Sequence, residues 1–275
     1  MSRSPGASSE SAIEQRTRPT ELDPAILLGE LESGALRAAE PDPDEPGGWR
    51  VQPDVKAAIL RLFADRTSRE WSVGPFWFRD RAAVPPRALS GDSWRIVPGG
   101  TSVRAGAHLG EGVVVMPPSY INVGAWIGPG TMVDSHVLVG SCAQIGAGVH
   151  LSAGVLVGGV LEPAGARPVI VEDDAFVGAG SVLLDGILIR HRAVIGAGVT
   201  LTGTSVLFDL TTDTVLRGTP EEPLVVPDGA VVVPAGRTVR GAFAEQYGLS
   251  IATAVVVKRR DPGTDARVAL EAALR

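Results

Sequence analysis

The stretch "INVGAWIGPGTMVDSHVLVGSCAQIGAGVHL" (Ile121–Leu151) decides the fold. Every sixth residue from Ile121 is aliphatic: Ile127, Val133, Val139, Ile145 and Leu151. The same register extends back through Val115, Leu109 and Val103 and forward to Val157. It then slips by two and resumes at Val171, Val177, Leu183, Ile189, Ile195, Leu201 and Leu207. All seventeen positions are Val, Leu or Ile. Glycine often follows them, as at Gly128, Gly140, Gly146, Gly178 and Gly196, and the residue two before is often small or β-branched. A six-residue period of this kind is the signature of a parallel β-helix. Each hexad gives one short strand and one turn, and three hexads close one triangular coil. The aliphatic points inward, and glycine serves the turns where φ must be positive or a Cβ would clash. No coil can bury its own faces, so stacking is obligatory.

Composition agrees. The chain of 275 residues is 44% hydrophobic but only 5% aromatic, with 34 glycines and 21 prolines. That balance favours many short strands and tight turns over a helical bundle. A net charge of −6 and a pI near 5.3 argue against nucleic acid or an acidic membrane surface as the main partner. Cys142 is the single cysteine, so no intrachain disulfide can form, which fits a reducing compartment. No apolar leader or run of membrane-spanning length occurs. The chain reads as soluble and cytoplasmic.

Around the coil the pattern changes. Residues 1–19 are Ser-, Arg- and Glu-rich and are expected to be disordered. Residues 20–100 are expected to form an α-helical N-terminal domain. One helix begins near Thr20 or Asp23, and a second, over 54–66, has Val55, Ala58, Ile59, Leu62 and Phe63 on one face. "EWSVGPFWF" (70–78) reads as one strand with a Gly-Pro interruption. The β-helix is expected over 101–236. "GGVLEPAGARP" (158–168) should bulge from a corner of it, and "LVVPDGAVVVPAG" (224–236), with Val225 and Val231 six apart, should form a last partial coil. Residues 237–275 should supply a closing strand (250–260) and a terminal helix (264–275).

The segment from Met116 to Gly178, and above all "MVDSH…VGSCAQIG" and "GGVLEP", resembles the tetrahydrodipicolinate N-succinyltransferases of the hexapeptide-repeat acyltransferase superfamily. "LESGALRAAE" (31–40), "RIVPGG" (95–100) and "VVVKRRD" (255–261) extend the likeness to roughly residues 21–275. The resemblance implies a mainly β fold built on a left-handed parallel β-helix, assembled as a homotrimer with active sites between subunits. It implies direct attack of a substrate amine on the thioester of succinyl-CoA, with no permanently bound cofactor. The donor could also be acetyl-CoA. The acceptor it implies is ring-opened tetrahydrodipicolinate. Two rivals stand beside this reading: a related N-acyltransferase recruited to another amino acid, and a catalytically silent trimer that binds a ligand.

Candidate residues follow from both kinds of reasoning. Asp134 occupies a slot after an inward aliphatic, where a carboxylate can cap a turn or hold an amine. The resemblance makes it the catalytic and substrate-binding aspartate. It also makes Arg95 the arginine that grips a substrate carboxylate, a pairing suited to a guanidinium fork. In the best-known branch of the family an arginine and a glutamate follow "FIGA". Their positions here are Gly180 and Val182. Either Asp185, the nearest acid, supplies the second catalytic carboxylate, or Asp134 acts alone, or the acceptor differs. Gly196, Ala197 and Gly198 are expected to bind the pantetheine arm of CoA through backbone amides. Lys258 and Arg259, in the densest basic cluster, are expected to bind its phosphates. His136 is read as lining a subunit interface, and His108, His150 and His191 as structural. The histidines are too widely spaced for a metal site, and none is expected. Cys142 is read as a small buried residue in mid-rung.

Overall fold

The structure is a computed structural model that describes residues 18–89, 91, 93–219 and 221–268. The expected disordered tail lies outside the described residues except for Arg18 and Pro19, and Pro19 opens a short 3-10 turn ending at Glu21.

From Arg95–Ile96 to Thr200–Leu201 the chain runs as strands of two residues that pair in parallel with strands one coil away. Trp126 lies beside Gln144 and Val133 beside Leu151, a spacing of 18 residues, or three hexads. Successive strands fall in turn on three sheets of ten, six and six strands. Side 1 starts with Arg95–Ile96, side 2 with Ser102–Val103 and side 3 with His108–Leu109. The result is a three-sided parallel β-helix. All the aliphatic hexad positions lie inside it, and none is more than 3% exposed. They form one continuous core with the small residues that precede them, such as Ala107, Ala125 and Ala143.

The slip after Val157 skips no side. Leu156–Val157 on side 2 is followed by Ile170–Val171 on side 3. The extra residues leave the prism at the corner between sides 2 and 3. Lys56 anchors them. It is fully buried, and its Nζ donates to the carbonyls of Pro163 (3.2 Å) and Ala166.

Helix α1 (Pro24–Ser33) is capped by the Asp23 carboxylate, which accepts from the Ala25 amide (2.9 Å), and ends at Gly34 in a left-handed conformation. Helix α2 (Pro53–Ala64) buries Val55, Ala58, Ile59 and Leu62. These residues join Leu27, Leu28 and Leu31 against Ala105, Val123 and Cys142 on the corner of sides 2 and 3. Trp49 and Ala39 pack on Ile170 and Leu188 of side 3. The N-terminal segment is not purely helical. Ala39–Pro41 pairs with Trp49–Val51, and the expected single strand at 70–78 is an antiparallel hairpin, Ser68–Val73 with Phe76–Arg81. Gly74, with φ of 58°, and Pro75 make its turn instead of interrupting it.

Two further expectations change. In the last coil the fully buried valines are Val226 and Val232, which lie beside Ile189 and Ile195, so the phase there is one residue later than Val225 and Val231. Cys142 is not in mid-rung. It sits in a corner turn with φ of 65°, covered by the N-terminal cluster, and burial pushes its thiol up to about 12. Ser250–Arg259 closes the end of the coil against Ala230–Thr238. A last helix, Pro262–Val268, begins before the expected position 264, and residues 269–275 lie outside the described residues. No helix among the described residues is long and apolar enough to cross a membrane.

Candidate active site

Asp134 directly follows inward-facing Val133, so the coil places it on the corner between sides 1 and 2. Its amide donates to the carbonyl of Leu151 (2.9 Å), and its carbonyl accepts from the Ser119 hydroxyl (2.9 Å). The backbone is thus fixed from the coils on both sides. One carboxylate oxygen, Oδ1, accepts from the Ser135 amide (2.7 Å). No hydrogen bond involves Oδ2 among the described residues. The side chain is half-buried. Its own turn uses one oxygen and leaves the other open.

Successive coils repeat this corner as Ser152-Ala153-Gly154, Gly178-Ala179-Gly180 and Gly196-Ala197-Gly198. The amides of Gly154, Gly180 and Gly198 each donate to the coil before. The amides of Ala153, Ala179 and Ala197 find no partner among the described residues, and all three residues are exposed. Gly178 and Gly196 are obligatory, since a Cβ there would press on backbone of the next coil at 2.5 Å (Ala197 N) and 2.9 Å (Val232 O). This edge therefore carries no side chain bulkier than a serine hydroxyl beyond Asp134. It presents a line of free N–H donors one coil apart, at about 4.8 Å intervals. Asp134 and Ala197 stand near opposite ends, roughly 14 Å apart by that spacing. Of the three amides expected to bind there, that of Gly196 donates to the Val232 carbonyl (2.7 Å) and that of Gly198 to the Ala179 carbonyl (2.9 Å), so only the Ala197 amide joins the line. Sequence reasoning missed Ala153 and Ala179, although the signal was there: both fall two residues after an inward aliphatic.

Arg95 is exposed on side 1, two coils before Met132–Val133 in the same sheet, and so lies toward the same end as Asp134. Asp185 does not join them within one chain. It sits on the corner of sides 2 and 3, exposed, with φ of 56°. There it lines a cavity of about 820 Å³ with Glu162, Arg167 and Arg217. The two family-specific strings thus lie on two edges, "MVDSH" at corner 1–2 and "GGVLEP" at corner 2–3. Side 2 lies between them. Val182, where the family branch has its glutamate, is on the outward face of side 2 between Leu156 and Thr200.

The basic cluster is heavily paired. Lys258 donates to Asp261 (2.7 Å). Arg259 donates to Asp209 (2.7 Å), whose carboxylate is 2% exposed. Burial pushes the Asp209 carboxyl up, but hydrogen bonds from Thr211 and the charge and hydrogen bond of Arg259 outweigh it and hold it below the usual range. Arg260 bonds Asp265 and the carbonyls of Asp174 and Arg192. Arg104, Arg190 and Arg192 pair with Asp80, Glu172 and Asp265.

His136 is exposed at the left-handed position of the Asp134 turn, with φ of 61°, where the following coils have Gly154, Gly180 and Gly198. His108 stacks on Trp126, His150 meets Phe176 edge-on, and His191 sits on the corner of sides 3 and 1. Among the described residues no group of three or more His, Cys, Asp or Glu is placed to hold a metal ion.

Residues 168–203 match the family described as the hexapeptide repeat of succinyl-transferase. The chain is 40% identical to the 2,3,4,5-tetrahydropyridine-2,6-dicarboxylate N-succinyltransferase of Idiomarina loihiensis, over 96% of this chain and 93% of that protein. It is 39% identical to the protein of the same name from Bordetella avium, over 89% and 86%. A crystal structure of a Campylobacter jejuni protein described as a 2,3,4,5-tetrahydropyridine-2-carboxylate N-succinyltransferase aligns with a TM-score of 0.44 at 18% identity. It covers 84% of this chain and 61% of that one.

Proposed function

The chain belongs to the 2,3,4,5-tetrahydropyridine-2,6-dicarboxylate N-succinyltransferase family, and from that premise we propose that it moves a succinyl group from succinyl-CoA to the amine of ring-opened tetrahydrodipicolinate. This is the succinylation step of diaminopimelate and lysine synthesis, and it takes place in the cytoplasm. The observation that carries the reading is the edge between sides 1 and 2, where a carboxylate with one unused oxygen stands at the end of a smooth line of free amides.

An extended pantetheine arm presents amide carbonyls, and the amides of Ala153, Ala179 and Ala197 are suited to receive them. This lays the thioester toward Asp134. The substrate amine donates to Asp134 Oδ2, which orients its lone pair at the thioester carbonyl carbon. The C–N bond forms, the C–S bond breaks and CoA leaves as the thiolate. The amine proton passes to the carboxylate and on to the thiolate or water. Such proton help is worth roughly 10²–10⁴ in rate. Arg95 holds one carboxylate of the acceptor.

The working form is a left-handed coil assembled as a homotrimer. The N-terminal clusters cover side 3 and the corner of sides 2 and 3, whereas side 2 keeps Leu156 40% exposed beside Tyr120, Leu138 and Val182. An apolar strip between two site-bearing edges suits a second subunit. Such an assembly can bring Asp185 of one protomer toward Asp134 of its neighbour.

The test supplies purified protein with tetrahydrodipicolinate and either succinyl-CoA or acetyl-CoA and measures thiol release. Turnover with succinyl-CoA is expected, and Asp134→Asn should lower it at least about 100-fold with the assembly unchanged by sedimentation. Preference for acetyl-CoA, no release with either donor, or a wild-type rate for Asp134→Asn would each overturn the assignment.

A further inference from the structure

The third prism edge, between sides 3 and 1, borders a cavity of about 400 Å³ that the proposed reaction does not use. Arg37, just past α1, lines it. Its guanidinium carbon lies 3.8 Å from the ring centre of Trp126 and 5.6 Å from that of Trp49. Trp126 is stacked in turn on His108, with 15° between the planes. Nε donates to Gln144 Oε1 (3.0 Å), and the Gln144 amide is fixed on the carbonyl of Cys142 (2.9 Å). The guanidinium is therefore held rigidly. Its terminal nitrogens make no hydrogen bond and no ion pair among the described residues. Burial lowers its pKa to about 10, and the nearby carboxylates of Glu40 and Asp173 offset this only in part.

Two carboxylates border the same cavity. Glu172 is already satisfied by Trp49 Nε1 (2.9 Å), Arg190 (2.7 Å) and the His191 amide (3.0 Å). Asp173 accepts only from the Ala147 amide (2.7 Å) and joins no ion pair among the described residues. A cation whose terminal nitrogens are unbonded, with the charges of Glu40 and Asp173 nearby, and a carboxylate in no ion pair among the described residues thus share a small cavity with indole walls. We propose that this cavity binds a small α-amino acid, with its carboxylate on the terminal nitrogens of Arg37, its ammonium on Asp173 and its side chain against the indoles. A guanidinium fork suits a carboxylate, and the volume is at the lower end for small-molecule sites. The acids at the rim disfavour a phosphate dianion. The cavity lies on a different edge from Asp134, so the inference stands apart from the acyl transfer.

Calorimetry on the full chain tests it with three probes: L-norvaline, pentanoate and butylamine. Norvaline should bind saturably, pentanoate at least tenfold more weakly, and butylamine without saturation. Arg37→Gln should weaken norvaline at least tenfold, with near-ultraviolet circular dichroism checking its fold. Asp173→Asn leaves Arg37 and both indoles in place, so it decides the matter if the arginine variant fails to fold. It should reduce norvaline to the level of pentanoate. Asp134→Asn should bind norvaline as the wild type does. No saturable norvaline binding, displacement by inorganic phosphate, or no effect of Asp173→Asn would overturn the proposal. Loss of binding in Asp134→Asn would overturn it too, by placing the ligand in the acyl-transfer site.

Discussion

Replacing Arg259 separates a ligand-binding residue from a structural one. The sequence points to a CoA-phosphate contact, whereas the structure pairs Arg259 with Asp209 at 2.7 Å. Asp209 is 2% exposed, and Arg259 Nη1 is itself buried without a partner. Arg259→Gln leaves a buried carboxylate with only its Thr211 hydrogen bonds. Removing one partner of a buried pair costs about 3–5 kcal/mol. The Arg259 side chain is 39% exposed, so water can reach part of the site, and a loss of about 2–3 kcal/mol is the better figure. At about 2–4 °C per kcal/mol for a chain of this size, Tm should fall by about 5–10 °C. The KM for succinyl-CoA should stay within about twofold, which is under 0.5 kcal/mol. The pH dependence has a definite sign. A carboxyl held below its unfolded value of 3.8 adds stability above that pH and loses it as pH falls below. The gap in stability between wild type and Arg259→Gln should therefore narrow below about pH 4. A rise in KM of tenfold or more with Tm unchanged would refute the structural role.

Lys258→Met breaks only an exposed pair with Asp261, so its Tm should move by no more than about 2 °C, as scanning calorimetry will show. Asp185→Asn should lower turnover at least tenfold if this carboxylate replaces the one missing at Val182, and an unchanged rate removes it from the reaction. In Gly140→Ala a Cβ would overlap the backbone of Gly159 and lie 2.6 Å from the Gly158 carbonyl carbon. Thermal unfolding should show a loss of about 2 kcal/mol or more. Gly130→Ala meets nothing within 4 Å and strains only a φ of 68°, for about 1 kcal/mol. Lys56→Met strands the carbonyls of Pro163 and Ala166. It should cost about 2 kcal/mol and speed proteolysis within 158–169.

The coil was legible because each rung asks the same thing of one residue, a β-branched or leucyl side chain at a fixed interval, whatever surrounds it. The edge on which a residue falls was not, because the sequence shows a slip of two and only the structure shows that eight residues leave the prism between sides 2 and 3. Asp134 and Gly196 are 62 residues apart, three coils of 18 plus the eight residues of the extruded loop. Asp185 is out of step with both and belongs to the next corner. What the repeat does not dictate stayed hidden. Arg259 and Asp209 meet across 50 residues because the closing strand lies parallel to Val206–Asp209, a pairing outside the hexad rule. The left-handed turns at His136 and Cys142 were missed because glycine was the only marker sought there. The hairpin at 68–81 was missed because alternation alone does not distinguish one bent strand from two paired ones.

The proposed assembly on side 2 would account for a valine at position 182 where the resembled branch has a carboxylate. Its outward positions run Ser102, Tyr120, Leu138, Leu156, Val182, Thr200, an apolar centre with polar ends. A glutamate at position 182 would have Leu156 as its neighbour on one side, so in an assembled interface its charge would need a partner from another subunit. Here the branch's arginine is also absent, with Gly180 in its place. Loss of both leaves no unpaired charge in the strip. Asp185 lies three residues further on, at a turn open to water and beside a cavity that Arg167 and Arg217 also line. A carboxylate there costs little to keep ionised. In the proposed assembly the reaction would be served by an acid at the rim of side 2, with the face itself given over to packing.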